Sequence, residues 1–231
     1  MSEDTFEQRL NGVRERVQAA CDRSGRDRDD VSIVVIAKNH GPERVREAAD
    51  CGVTIIGENR VQEAIHKQSM CPGGLEWHMV GHLQKNKVKH AVRVFRMIHS
   101  VDSTELLDVI DRACGEHGVV MPVCLQVNVS GEGSKFGMAP ADGPGVLERC
   151  SSLMNVDVVG LMTIPPFSPD PEDARRYFAE LRDLRGSWRD ASGFDLEHLS
   201  MGMSGDFEVA IEEGATWVRL GTVLFGKRGR G

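Results

Sequence analysis

Lys38 ends the apolar run Ile33-Val34-Val35-Ile36-Ala37. Desolvation at such a place lowers the pKa of an ammonium group and raises the share of free amine, which is the form that condenses with a carbonyl compound. The alternative is a lysine that reaches out of the strand end into solvent. A second group of residues points to an anion. The segment LSMGMSGDFEVAIEEG (199–214) joins a strand, a glycine-containing turn and a helix start, so the backbone N–H groups near Ser204 and Gly205 can face a negative charge. Further on, Arg219-Leu220-Gly221-Thr222 ends another strand with a glycine that permits close approach and a hydroxyl donor. Either piece alone reads as a turn; together they make a phosphate site.

Other polar clusters carry less. His78 and His82 have the HxxxH spacing, but on a strand and its following turn, where the helical zinc geometry is absent, so no metal is expected. The stretch LQKNKVKHAVRVFR (83–96) is dense in positive charge and suits either contact with RNA or an acidic partner, or the solvated face of a helix.

These residues need a scaffold that brings strand ends together. Strand candidates lie at 32–38, 54–59, 76–81, 97–102, 122–129, 157–164, 198–204 and 217–226. Helical stretches at 42–51, 59–70, 85–95, 104–117, 144–154, 171–190 and 206–213 separate them, with a further one at 4–24 ahead of the first strand. Asp102 or Ser103 caps the segment from Thr104, and Asp170 with Pro171 and Asp173 opens the segment that contains Tyr177. Eightfold βα alternation with right-handed crossovers predicts a closed (β/α)8 TIM-type barrel with an extra N-terminal helix, the doubly wound open sheet being the competitor. The 231 residues then form one domain, 1–231. In a barrel of this kind the reactive groups sit where strands end, and phosphate commonly binds the loops after strands seven and eight, where Ser204 and Gly221 fall.

Composition narrows the setting. Lys and Arg number 28 against 35 Asp and Glu, a net charge of −7 that gives no general attraction to nucleic acid or an anionic membrane. The six cysteines are scattered without a framework, which fits reduced thiols. No run is long and apolar enough for a membrane span, and MSEDTFEQRL is too polar for a secretory signal, so a cytoplasmic location is expected.

The blocks VVIAK (34–38), GENRVQE (57–63), WHMVGHLQKNK (77–87), HSVD (99–102), LQVNVSGEGSKFG (125–137), GLMTIPP (160–166), LSMGMSGDFEVAIEEG (199–214) and VRLGTVLFG (218–226) together resemble the pyridoxal 5'-phosphate homeostasis protein family, which is related to the barrel domain of alanine racemase. The resemblance runs through essentially the whole chain, with the blocks in the family's order. It implies that pyridoxal 5'-phosphate (PLP) is carried by Lys38 as an internal aldimine. It implies that Arg219 faces the pyridine nitrogen, that Ser204, Gly221 and Thr222 with backbone N–H groups around Met203 hold the phosphate, and that Asn59 lies beside the ring. His82 is placed at the mouth and given no catalytic role. The sequence departs from the family pattern after the lysine, where Asn39-His40-Gly41 stands, and at Arg60, where an aromatic residue is often seen.

What the resemblance implies is a carrier, not an enzyme. A guanidinium cannot accept the proton of the pyridine nitrogen and keeps that atom neutral, so the ring is a weak electron sink. The single tyrosine, Tyr177, falls on an outer helix, and the chain ends about five residues after the eighth strand, without the further domain from which alanine racemases take their second base. The expected role is PLP homeostasis and supply to apo-enzymes, by a protein expected to be a monomer. The alternatives are a PLP-dependent amino-acid racemase and a Schiff-base aldolase acting on a phosphorylated sugar.

Overall fold

Each β-branched run forms a strand, and each strand is followed by a helix. A computed structural model describes residues 4–133 and 135–226; residues 1–3, 134 and 227–231 of the domain expected over 1–231 lie outside the described residues. The order is α1 (Phe6–Ser24), β1 (Ser32–Ile36), α2 (Pro42–Asp50), β2 (Ile55–Glu58), α3 (Val61–Gln68), β3 (Glu76–Met79), α4 (Val88–Val94), β4 (Met97–Val101), α5 (Thr104–His117), β5 (Met121–Gln126), α6 (Gly143–Cys150), β6 (Val156–Met162), α7 (Arg175–Ser192), β7 (His198–Met203), α8 (Phe207–Glu212), β8 (Trp217–Leu220) and α9 (Thr222–Phe225). The strands pair in parallel in sequence order, and β1 closes onto β8 from Ser32 opposite Trp217 to Val35 opposite Leu220. The barrel and its additional N-terminal helix are those expected from the alternation.

The eighth strand is shorter than its apolar run suggests. It stops at Leu220 instead of continuing to 226, because Gly221 leaves the extended region (φ −123°, ψ −76°) and residues Thr222–Phe225 turn helical. The N–H groups of Gly221 and Val223 donate there to Ser204 Oγ, at 3.3 and 3.2 Å.

Helix α1 follows from local signals. Thr5 and Gln8 form a reciprocal capping box, and Gly25 ends the helix in the left-handed conformation at φ 66°. Its buried positions Phe6, Leu10, Val13, Val17 and Ala20 recur every three or four residues and face α8 and α9.

Alternation along the strands sorts side chains into two spaces. Trp77 and Met79 of β3, Ile98 of β4, Leu199 and Met201 of β7, and Val218 and Leu220 of β8 join the apolar layer between barrel and helices. The intervening residues His78, His99, Ser200 and Arg219 meet inside the barrel, where strands from opposite sides come within hydrogen-bond reach. A small separate apolar cluster of Met97, Cys124 and Met162 packs there too, with Trp217 against it.

Among the described residues no helix is long and apolar enough to cross a membrane. All six cysteines are free thiols, and among the described residues no three His, Cys, Asp or Glu side chains gather as a metal site would require.

Candidate functional site

At the C-terminal mouth of the barrel lies a cavity of about 400 Å³, and Lys38, Asn59, Met203, Ser204, Arg219, Gly221 and Thr222 all line it. They come from the ends of β1, β2, β7 and β8, so residues up to 184 positions apart in the chain share one volume because the barrel closes.

Lys38 lies two residues after the end of β1 and is exposed, while Val34, Val35 and Ala37 before it are buried. Of the two settings open to Lys38, the structure shows the one in solvent: the lysine lies beyond the strand's last pairing and reaches solvent within the mouth. Its backbone setting is tightly specified. The Ala37 N–H donates to Gly57 O at 3.0 Å, and Asn39, which follows the lysine, takes a left-handed φ of 60°. Asparagine tolerates that region better than other residues with a Cβ. Arg60, the other departure from the family pattern, is exposed, pairs with Glu63 at 3.3 Å and lines an adjoining cavity.

Asn59 is half-buried, and its N–H donates to Glu58 Oε2 at 3.0 Å. The loop after β3 passes so close that a Cβ on Gly81 would lie 2.6 Å from the Asn59 carbonyl oxygen; only glycine fits without moving the Asn59 backbone.

The anion side of the cavity is built from two strand ends. Ser204 Oγ accepts the N–H groups of Gly221 and Val223, so a serine oxygen occupies the acceptor position to which backbone donors converge. Met203 is different. Its N–H donates to Asp206 Oδ1 at 2.6 Å, which engages the amide that sequence reasoning assigned to the anion. Burial raises the Asp206 pKa, while its bond to the Met203 amide and the nearby Arg219 act in the opposite direction.

Arg219 forms the floor. It is 4% exposed and donates from Nη1 to Ser200 Oγ and from Nη2 to the Thr163 carbonyl, both at 2.8 Å. Burial pushes its pKa down to about 10, with the Asp206 carboxylate pulling upward, so it is cationic at neutral pH. Behind it runs a hydrogen-bonded chain: Ser200 Oγ to His99 Nδ1 at 2.7 Å, and His99 Nε2 to His78 Nδ1 at 2.9 Å. Because guanidinium only donates, Ser200 Oγ is the acceptor at Arg219, and the two ring contacts continue the chain from that hydroxyl through His99 to His78. Burial holds the His99 pKa well below the ordinary histidine value and that of His78 at about 4, so both rings are neutral at pH 7.

His82 sits elsewhere at the mouth. It is 3.3 Å from Asp102 and stacks on Phe136 with ring centroids 4.0 Å apart, lining a neighbouring cavity that shares Asn59. Tyr177 lies on α7, where its hydroxyl accepts from Arg176 at 2.6 Å. The basic segment 83–96 forms a 3-10 turn and α4, with Lys85, Lys87 and Lys89 facing outward or half-buried.

Sequence reasoning missed Asp206, the Ser200-His99-His78 chain and the buried pair Glu58 and Lys67. A signal existed for the last pair: a glutamate closes the apolar TIIGE run, and Lys67 falls three residues after Ala64 and six after Val61 on the buried face of α3.

Residues 9–229 match the family described as alanine racemase, N-terminal domain. The chain is 46% identical over 222 residues to the pyridoxal phosphate homeostasis protein of Aquifex aeolicus, covering 96% of this chain and 97% of that one. It is 41% identical over 233 residues to the protein of the same name from Pseudomonas aeruginosa, covering 98% and 97%. PipY of Synechococcus elongatus, solved with PLP bound, superposes with a TM-score of 0.82 at 40% identity, covering 93% of this chain and all of that one. The chain belongs to the alanine racemase N-terminal domain family, within its branch of pyridoxal phosphate homeostasis proteins.

Proposed function

We propose that this chain binds PLP in the mouth cavity, carries it covalently on Lys38, and serves its homeostasis and supply to apo-enzymes. The observation that carries this reading is the convergence of all seven expected residues on one cavity of about 400 Å³, a size suited to a small cofactor. The residues present fit the group. An accessible primary amine stands at one wall, backbone N–H groups converge on Ser204 at another, and a buried guanidinium with neutral hydrogen-bond partners forms the floor. The relatives' names and the PLP-bound PipY structure support the same cofactor.

PLP, when bound, supplies an aldehyde that condenses with amines and a ring that withdraws electrons. In this reading the Lys38 amine is the attachment point, Asn59 lies beside the ring, and Ser204 with the Gly221 and Thr222 backbone binds the phosphate. The Met203 N–H, engaged by Asp206, contributes by fixing the turn that presents Ser204. Arg219 donates to the ring nitrogen and, being cationic, withholds the proton that would make the ring a strong electron sink. That favours a carrier over a catalyst. The racemase alternative needs a second base across from Lys38, and His82 is turned to Asp102 and Phe136. We take the chain to act as one barrel domain over 1–231, as a cytoplasmic monomer.

The test is borohydride reduction of the PLP-loaded protein followed by peptide mapping. A violet-region absorbance band lost on reduction, with the label on Lys38 and none in Lys38→Ala, is the expected result; a label retained in Lys38→Ala, with Lys135 the first site to inspect, overturns the assignment. Incorporation of solvent deuterium at the α-carbon of alanine near the median enzyme rate of roughly 10 per second would replace the carrier with an enzyme.

A further inference from the structure

Beneath the turn that bears Lys38 lies a buried charge cluster that the proposed function does not use. The Lys67 side chain, on α3, is 5% exposed and that of Glu58, at the end of β2, is 0% exposed; the two are ion-paired. Apolar pairs of similar volume commonly fill such a space as well, because the cost of taking two charges out of water offsets their mutual attraction. The arrangement of the remaining contacts says what the charges are for. Lys67 Nζ donates to the carbonyl of Ala37, the residue before Lys38, at 2.7 Å. Glu63 Oε2 lies 3.7 Å from that ammonium and accepts the N–H of Asn39, the residue after Lys38, at 3.3 Å. The second oxygen of Glu58 accepts the N–H of Asn59. One cluster thus grips the backbone on both sides of Lys38 and at a second cavity residue.

We propose that Lys67, with Glu58 and Glu63, is a positioning element that sets the direction in which Lys38 leaves the backbone. The Lys38 side chain is exposed, so its aim is set by its own turn more than by packing around it. That turn contains the left-handed Asn39, a conformation that persists where the surroundings hold it. An ammonium whose donors point to two carboxylates and a carbonyl fixes the carbonyl's direction as well as its distance. Since a misplacement of about 1 Å costs an oriented reaction on the order of a hundredfold, releasing the turn slows condensation at Lys38 without weakening the phosphate grip of β7 and β8. This inference rests on the reading that Lys38 is the attachment point.

The experiment is a borohydride-quenched time course of the full chain, freed of cofactor, with added PLP, read at the Lys38 peptide over a range of concentrations. In Glu58→Leu/Lys67→Met, which replaces the pair with apolar side chains, the limiting rate of attachment should fall at least tenfold while the half-saturating concentration and the urea midpoint stay near wild type. Glu63→Ala, at a partly exposed position, should lower the limiting rate several-fold. In both variants the Asn39 amide should exchange with solvent at least tenfold faster in the cofactor-free protein. A folded double variant with the wild-type limiting rate overturns the proposal; if the double variant does not fold, a wild-type rate in Glu63→Ala does so. The two readings fail differently: a wild-type chain unlabelled at Lys38 refutes the attachment point, whereas unchanged Asn39 exchange refutes the clamp whichever lysine carries the cofactor.

Discussion

The layer between barrel and helices and the space inside the barrel are both buried, yet they are filled by opposite means. The layer is apolar, with Phe178, Leu181, Leu107 and Ile110 fully buried against strand residues such as Leu199 and Val218. The interior is crossed by Arg219, Ser200, His99 and His78, and among the described residues no buried side-chain nitrogen or oxygen lacks a partner. Apolar contact is non-directional and holds the elements together. Hydrogen bonds are directional and contribute little net energy, but a missing partner is costly. The layer therefore carries the stability, and the interior aims one guanidinium at the mouth.

The largest expected effect breaks the layer. Phe178→Ala should destabilise the chain by about 3–5 kcal/mol through lost burial and a residual cavity, read as a lower urea midpoint; a change below about 1 kcal/mol would deny the layer that role. Acid sharpens the contrast from the other side. The folded interior keeps His78 neutral with a pKa of about 4, while the unfolded chain takes up the proton near the ordinary value, so this stabilisation is complete above about pH 6.5 and lost as pH falls towards 4. The difference corresponds to about 3 kcal/mol, with His99 acting in the same direction. Urea midpoints measured between pH 7 and 4 should show the fall, and a pH-independent midpoint would mean that the imidazoles are not buried as described.

Ser200→Ala removes the oxygen shared by Arg219 and His99 and leaves both short of a partner. The expected cost is about 1–3 kcal/mol, accompanied by an altered absorbance spectrum of bound PLP; an unshifted spectrum would detach the chain of polar groups from the aim of Arg219. Smallest is Lys38→Ala, which removes an exposed side chain and should move the urea midpoint by less than about 0.5 kcal/mol, although borohydride should then trap no cofactor.

Much of this was legible from local signals. Strand ends carrying Lys38, Ser204 and Gly221 stood out because each combines an apolar run with a reactive or turn-forming residue, and βα alternation then placed them at one mouth. The polar interior was not legible. His99 and Ser200 are 101 residues apart on strands across the barrel, and no spacing encodes a contact that exists only after closure. Of the two settings the apolar run allows for Lys38, the solvent-reaching one is found, because strand pairing ends at Ile36, two residues before the run suggests. Gly221 lies just past the end of β8, and the continuing apolar residues Val223, Leu224 and Phe225 serve a short helix instead of a longer strand. The buried pair of Lys67 and Glu58 leaves one trace in the sequence, a lysine at the spacing of the buried face of α3.

The pairing of β1 with β8 has a kinetic side. Lys38 stands at the end of the first strand and Arg219 with Gly221 at the end of the last, so the walls of the cavity meet across the one seam that joins the two ends of the strand order. Loop-closure entropy makes this pairing, between residues some 185 apart, among the most demanding to form. During synthesis the lysine leaves the ribosome long before its opposite wall exists. The nascent chain passes through a period in which that amine is present without its pocket, and the pocket is complete only once the last strand has closed the ring.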